Sequence, residues 1–319
     1  MNQKTKKQAS QINTIMKSPG IKGADKVEGV ANTIFTICAF AAVFAVASIT
    51  LYMIIKGVPA IFQVGLKEIM FSTVWKPTAS EPSYGILYVI ITSIVGTSAA
   101  IFIGVPIGVG TAIFLTKIAS RRVAAVVGPA VELLAGIPSV IYGLLGLIIL
   151  NPMIYKLELY LFKGSTTHQF TGGSSLFSAI LVLAIMILPT VISISASAIR
   201  AVPLQLQTSS MALGATKMQT IFKVIVPAAK SGIITSIVLG TGRAIGEAMA
   251  ITLVSGSVVN LPLPFHSVRF LTTAIVSEMS YSQGIHKEVL FTIGLVLFAF
   301  IMIINIILNK MMKGGKMND

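Results

Sequence analysis

Two carboxylates and one guanidinium lie inside long apolar stretches of this 319-residue sequence: Glu132, Arg243 and Glu247. An ionisable group in hydrocarbon costs about 2.5 to 3.5 kcal/mol on insertion scales, so each needs a partner or a water-filled path. A continuous helix puts Arg243 and Glu247 at i and i+4 on one face, where they can pair. Two readings are open. The pair can simply neutralise itself and hold its span against the neighbours. Alternatively, Arg243 offers charge and forked donors to an oxyanion, while Glu247 orients the guanidinium and partly neutralises it when no substrate is present. Such a site binds weakly, which suits a path that the anion must leave. Glu132 begins the run ELLAGIPSVIYG (132–143), and Pro129, Gly136, Pro138 and Gly143 interrupt the helix around it. A broken helix frees backbone groups to line a cavity, but a glutamate near a helix end also snorkels or caps; both remain open. Gly242 and Gly246 form a small-x-x-x-small step that places the Arg243 helix at a subunit seam, and Gly104 and Gly108 offer a second such face.

The elements that position these groups follow from composition. The chain is 55% hydrophobic and 11% charged, with mean hydropathy +0.89, a balance that a water-solvated domain does not carry. Several runs exceed the roughly 18 apolar residues needed to cross a bilayer, and without water to satisfy the backbone they must be helices rather than alternating barrel strands. Six spans are expected, over 30–55, 86–115, 123–150, 176–199, 232–255 and 289–308. This gives a basic N-terminal tail (1–29), a six-span domain (30–308) and a C-terminal tail (309–319). The first apolar run is too long for the core of a cleaved signal peptide.

Charge sets an expected orientation. With the N-terminus in the cytoplasm, the inner segments hold Lys4, Lys6, Lys7, Lys17, Lys22 and Lys26; Lys117, Arg121 and Arg122; Arg200, Lys217, Lys223 and Lys230; and Lys310, Lys313 and Lys316. The outer segments hold only Lys56, Lys67, Lys76, Lys156, Lys163, Arg269 and Lys287. The bias puts both termini in the cytoplasm. It also accounts for the net charge of +14 without a nucleic-acid groove. Trp75, Tyr84, Tyr155, Tyr160 and Tyr281 fall in outer segments, where aromatics suit a membrane interface. The inner segment 200–231 is amphipathic; Pro203, Gly214 and Pro227 divide it into two short helices joined at Gly214, outside the bilayer.

Enzymatic chemistry finds no footing. Cys38 is the single cysteine, so neither an intramolecular disulfide nor a cysteine metal cluster is expected. No G-x-x-x-x-G-K-[ST] loop is present, and GTGRAIG (240–246) has the wrong spacing and context for a dinucleotide fingerprint. His168, His266 and His286 lack the i, i+4 spacing of a helical metal site and are expected to be solvated or interfacial. No metal and no catalytic residue are expected.

The stretch SSMALGATKMQTIFKVIVPAA (209–229) resembles the cytoplasmic "EAA" loop of ABC importer permeases. The family's glutamate corresponds to Thr208 and its alanines to Ser209 and Ser210; Gly214, Val224 and Pro227 complete the pattern. The runs GRAIGEAMA (242–250) and ELLAGIPSVIYG narrow the resemblance to the phosphate-specific permeases, of the PstC type rather than the sister PstA type. The resemblance runs from about Trp75 to the last span. It implies a type I ABC importer permease fold with coupling helices that dock on an ATPase. It also implies a partner permease of the PstA type, two ATPase subunits of the PstB type holding ATP and magnesium, and an external phosphate-binding protein of the PstS type. No cofactor is implied on this chain, and Arg243 and Glu247 are implicated in phosphate passage. A permease for molybdate, sulfate or phosphonate and an ion-driven secondary transporter using Glu132 and Glu247 are the alternatives. No second copy of either motif marks the internal repeats that many secondary transporters carry.

Overall fold

The computed structural model describes residues 24–314. The chain divides into two compact units, one ending at Met53 and one beginning at Ile54. The described part of the first unit is a single helix, α1 (Ala24–Ala60), which runs on into the second unit. From Val30 to Ile55 its apolar side chains are largely exposed, Cys38 among them, as a helix solvated by lipid requires. The basic tail expected over 1–29 lies mostly outside the described residues.

In the second unit α1 widens into a π-helical turn at Ile61–Gly65, and α2 (Leu66–Phe71) follows. Two short strands, β1 (Trp75–Lys76) and β2 (Ser83–Tyr84), then pair antiparallel. The long helices follow: α3 (Leu87–Ile118), α5 (Ser139–Leu161), α6 (Leu176–Arg200) and α12 (Gly284–Gly314). With α1, five helices among the described residues are long and apolar enough to cross a membrane, and a sixth crossing is available if the bent pair α8 (Lys217–Ala228) and α9 (Lys230–Gly246) counts as one span.

The third and fifth spans differ from the sequence expectation. Instead of one helix over 123–150, α4 (Arg121–Ala135) stops and α5 starts at Ser139. Pro138 caps the new helix in an extended conformation, and α4, at about 22 Å, is too short to cross the hydrocarbon. The break is not left unsatisfied, because the Tyr142 hydroxyl donates back to the Leu134 carbonyl at 2.7 Å. The span expected over 232–255 ends as α9 at Gly246; Glu247 is extended, and α10 (Met249–Val254) begins anew. A short helix not anticipated from the sequence, α11 (Leu271–Glu278), precedes α12.

The centre of the packing is α6. It carries Leu183, Met186, Ile187, Val191 and Ile199 at or near zero exposure. Helices α3 and α9 approach it closely where they lack side chains: a β-carbon at Gly104 would sit 2.7 Å from Ile187, one at Gly108 2.7 Å from Val191, and one at Gly240 2.9 Å from Val191. Without a hydrophobic drive between helices in lipid, such backbone proximity and interhelical hydrogen bonds hold a bundle together. The fully buried hydroxyls of Ser195 on α6 and Ser236 on α9 meet at 2.8 Å.

The segment 200–231 folds as α7 (Leu204–Ala212), a turn at Gly214 and then α8. Gly214 has φ +87°, a conformation that glycine adopts at no steric cost. The Thr216 hydroxyl caps α8 by accepting from the Gln219 N–H, and the Thr216 N–H donates in return to Gln219 Oε1, a two-way cap that fixes where the helix begins. Ser210 and Thr220 join the two helices at 3.0 Å. Ile221 and Ile225 anchor α8 among Ala112 and Ile113 of α3 and Ala196 and Ile199 of α6.

Candidate functional site

Arg243 lies in the last turn of α9, half-buried, with its Nη1 donating to the Thr190 hydroxyl of α6 at 3.2 Å. Thr190 follows Pro189, so it belongs to a turn of α6 where the proline has already removed one backbone hydrogen bond. A guanidinium has five N–H donors. Among the described residues, its hydrogen-bonding partner is the Thr190 hydroxyl, and no carboxylate lies within ion-pair distance.

Glu247 does not pair with Arg243 along one helix face. The helix ends between them, and the buried Glu247 carboxylate turns to the start of α10, where Oε1 accepts from the Ala250 N–H at 2.9 Å. Its backbone carbonyl accepts from the Thr272 hydroxyl of α11 at 2.7 Å. The physical reason for the correction is competition: a free amide at a new helix start and a hydroxyl from a distant helix satisfy Glu247 better than continuation of α9 would. Close behind stands α5, because Gly143 has no side chain and a β-carbon there would lie 2.6 Å from the Ala250 Cα. That approach also brings the Tyr142 phenol within electrostatic reach of Arg243.

Glu132 sits elsewhere. It is exposed on α4 and borders a cavity of about 70 Å³ shared with Ser193, Ser197 and Arg200 of α6. That cavity runs along α6 from Ile192 to Arg200, and neither Thr190 nor Arg243 lines it. Thr190, Tyr142 and Thr272 were not picked out from the sequence. The proline beside Thr190 was the one local signal; the other two matter only through tertiary contact.

The segment around Gly214 presents a different surface. Thr208 and Ser209 are exposed, and the Thr208 hydroxyl turns back to the carbonyls of Leu204 and Gln205. Val224 is half-buried and Pro227 exposed. Leu213 at the turn is 90% exposed, with Leu204, Met218 and Phe222 also uncovered, which is more apolar surface than a finished surface leaves in water.

Two of the histidines expected to be solvated or interfacial have their side chains buried against carboxylates. His168 meets Glu158 at 2.8 Å and stacks on Phe162, and Thr171 bonds the same carboxylate through N–H and hydroxyl. His286 meets Glu278 at 2.7 Å, and Trp75 Nε1 and the Arg269 guanidinium complete the Glu278 shell. Burial, reinforced by the Glu278 charge and opposed by Arg269, raises the Tyr281 phenol above its ordinary value. Among the described residues no group of three or more His, Cys, Asp or Glu side chains is placed to hold a metal.

With this geometry in hand, comparison with known proteins is informative. Residues 104–313 match the profile of the "binding-protein-dependent transport system inner membrane component". The chain is 41% identical over 289 residues, 88% of this chain and 90% of the relative, to a probable ABC transporter permease protein, YqgH, of Bacillus subtilis. It is 37% identical over 234 residues, 70% of this chain and 72% of the relative, to the phosphate transport system permease protein PstC of Pasteurella multocida. A crystal structure of a bacterial alginate ABC transporter superposes with a TM-score of 0.60 at 16% identity, covering 89% of this chain and 96% of that chain, and so shares the fold. The long apolar helices, the broken span carrying Arg243 and the match over two thirds of the sequence lead to one conclusion: the chain belongs to the binding-protein-dependent inner membrane components, the multi-pass permease subunits of ABC importers.

Proposed function

We propose that this permease passes inorganic phosphate, with Arg243 as the point where the anion meets positive charge inside the span. The observation that carries the reading is the unmatched guanidinium: a half-buried Arg243 whose bonded partner is a neutral hydroxyl keeps donors available for a tetrahedral oxyanion. Glu247, engaged at the start of α10, does not compete for it. Similarity to several phosphate transport system permeases named PstC supports phosphate over other oxyanions. Exposed Gly242 and Gly246, with open space where a β-carbon would stand, offer the seam to a second permease chain of the PstA type.

The drive comes from ATP and magnesium on two ATPase subunits of the PstB type, and an external PstS-type protein delivers the phosphate. The exposed apolar residues around Gly214 suit the docking of an ATPase, with Thr208, Ser209, Ser210, Val224 and Pro227 on the same segment. In this reading both termini are cytoplasmic, following the lysine and arginine bias of the sequence. The test is uptake of labelled phosphate by the assembled complex carrying Arg243→Ala. Uptake is expected to vanish while the complex still copurifies and competing sulfate leaves wild-type uptake intact. Near-normal uptake by the variant, or equal competition by sulfate, removes the proposal.

A further inference from the structure

A polar hollow in the second unit lies away from Arg243. It lies between the loop that follows α5 and the loop that joins α10 to α11, has a volume of about 550 Å³, and is lined by Thr167, Thr171, Ser174, Asn260, His266 and Ser267 among others. Both loops fall on the external side in the orientation proposed above, and the inference rests on that reading. No carboxylate borders the hollow. Glu158 stands behind the wall, and its oxygens are occupied by His168 and Thr171.

Its walls are fixed to each other. Leu176 N–H donates to the His266 carbonyl at 3.0 Å, Phe177 N–H to the Pro264 carbonyl at 2.8 Å, and Val268 N–H to the Ser255 carbonyl at 2.8 Å. Gly256 adopts φ +82° against Ser267, where a side chain would overlap the hydroxyl. A recess held this way loses little entropy when a ligand enters.

Donors remain free along it. Ser174 Oγ accepts from Asn151 Nδ2 at 3.0 Å and keeps its own hydrogen. Asn260 Nδ2 uses one N–H on the Ser267 carbonyl at 3.1 Å and keeps the other. Beside these, the buried atoms Asn151 Oδ1, Ser255 Oγ and Ser257 Oγ have no partner among the described residues. Buried polar atoms without protein partners call for water or a ligand, and these three belong to residues that adjoin the lining without forming part of it: Asn151 bonds Ser174, and Ser255 and Ser257 flank Gly256. The site also continues toward the guanidinium: α10 has Glu247 at one end and Gly256 just past the other, and its six residues span about 9 Å.

We infer that this recess is a second, outer binding site for a tetrahedral oxyanion, a cradle of hydroxyl, amide and imidazole groups in which the ion rests before it reaches Arg243. Hydroxyl and amide donors with no lysine or arginine in the lining hold the ion weakly, as a waiting position on a path requires.

The test uses the assembled transporter in proteoliposomes with Cys38→Ser and one new cysteine, Asn260→Cys, and a membrane-impermeant anionic thiol reagent. Inorganic phosphate at twice its Kd is expected to slow labelling about threefold, while chloride at equal ionic strength does not. Lys163→Cys, outside the lining, is expected to label at the same rate with and without phosphate. Protection is expected to persist with Arg243→Ala added, which separates this inference from the role of Arg243. Labelling unchanged by phosphate, or slowed equally by chloride, overturns the inference. If Asn260→Cys does not assemble, Ser174→Cys gives the same reading from the opposite wall. In uptake, Asn260→Leu is expected to raise KM several-fold with the maximal rate kept; a lower maximal rate at unchanged KM overturns the inference as well.

Discussion

The position of Glu247 makes a sharp distinction between charge and cap. If its work is to accept the Ala250 N–H at the start of α10, then Glu247→Gln keeps an oxygen in place, whereas Glu247→Ala leaves a buried donor empty. Loss of a helix-start acceptor costs about 1 kcal/mol, and an unsatisfied buried N–H about 1 to 3 kcal/mol. A six-residue helix has no reserve of its own, because its nucleation is unfavourable without tertiary support. Taking about 1.5 to 2 kcal/mol for the alanine variant, the population with α10 correctly started falls roughly 10- to 30-fold. The glutamine variant loses only the charge-assisted part of the bond, about 0.5 to 0.7 kcal/mol, or roughly threefold. The assay is the initial rate of labelled phosphate uptake into membrane vesicles, alongside the melting temperature of the purified complex. Expected is a tenfold or greater loss with alanine and a loss of about threefold with glutamine, with melting temperatures in the same order. Equal losses for both variants refute the reasoning and return Glu247 to a role as counter-charge for Arg243.

Thr190→Val removes the hydroxyl bonded to Arg243 while keeping the shape; since the guanidinium is half-exposed and water can replace the bond, a discounted loss of about 0.5 to 1.4 kcal/mol predicts KM for phosphate uptake up two- to tenfold, and Thr190→Ser restores it. Gly214→Pro cannot adopt φ +87°, so ATP hydrolysis is expected to lose its link to transport, or the ATPase to leave the complex, as copurification and hydrolysis assays read directly. Gly104→Leu forces a side chain against Ile187 and the Ala184 carbonyl and is expected to destabilise the protein by about 1 to 3 kcal/mol in thermal unfolding, whereas Gly110→Leu, with open space around it, stays within about 0.5 kcal/mol.

The long helices were legible because an apolar run of sufficient length has one solution in lipid. The turn at Gly214 was legible too, since a left-handed residue between two short amphipathic helices selects glycine. The breaks were harder. Hydropathy continues smoothly across Gly136 to Pro138, so the local pattern hid the boundary between α4 and α5, although the proline itself was visible. Between Arg243 and Glu247 the sequence suggested four residues of helix, whereas α9 ends at Gly246 and the extended Glu247 is held by the Ala250 amide and by the Thr272 hydroxyl, 25 residues away. The carboxylates beside two histidines were hidden for the same reason: His168 and His286 find them through loop closure, ten and eight residues distant, which no helical spacing rule detects.

The glycine contacts of α3 and α9 with α6 have a kinematic consequence. Helices that touch backbone to side chain without intervening flexible chains cannot slide past one another by rotamer changes, because no slack exists between Gly104 and Ile187, Gly108 and Val191, or Gly240 and Val191. Whatever rearrangement opens this protein first to one side and then to the other must therefore carry these three helices as one rigid block. The displacement falls on the short pieces hinged to it, α4, the start of α5, α10 and α11, so the chain's broken spans are its joints and α6 is the axle on which they turn.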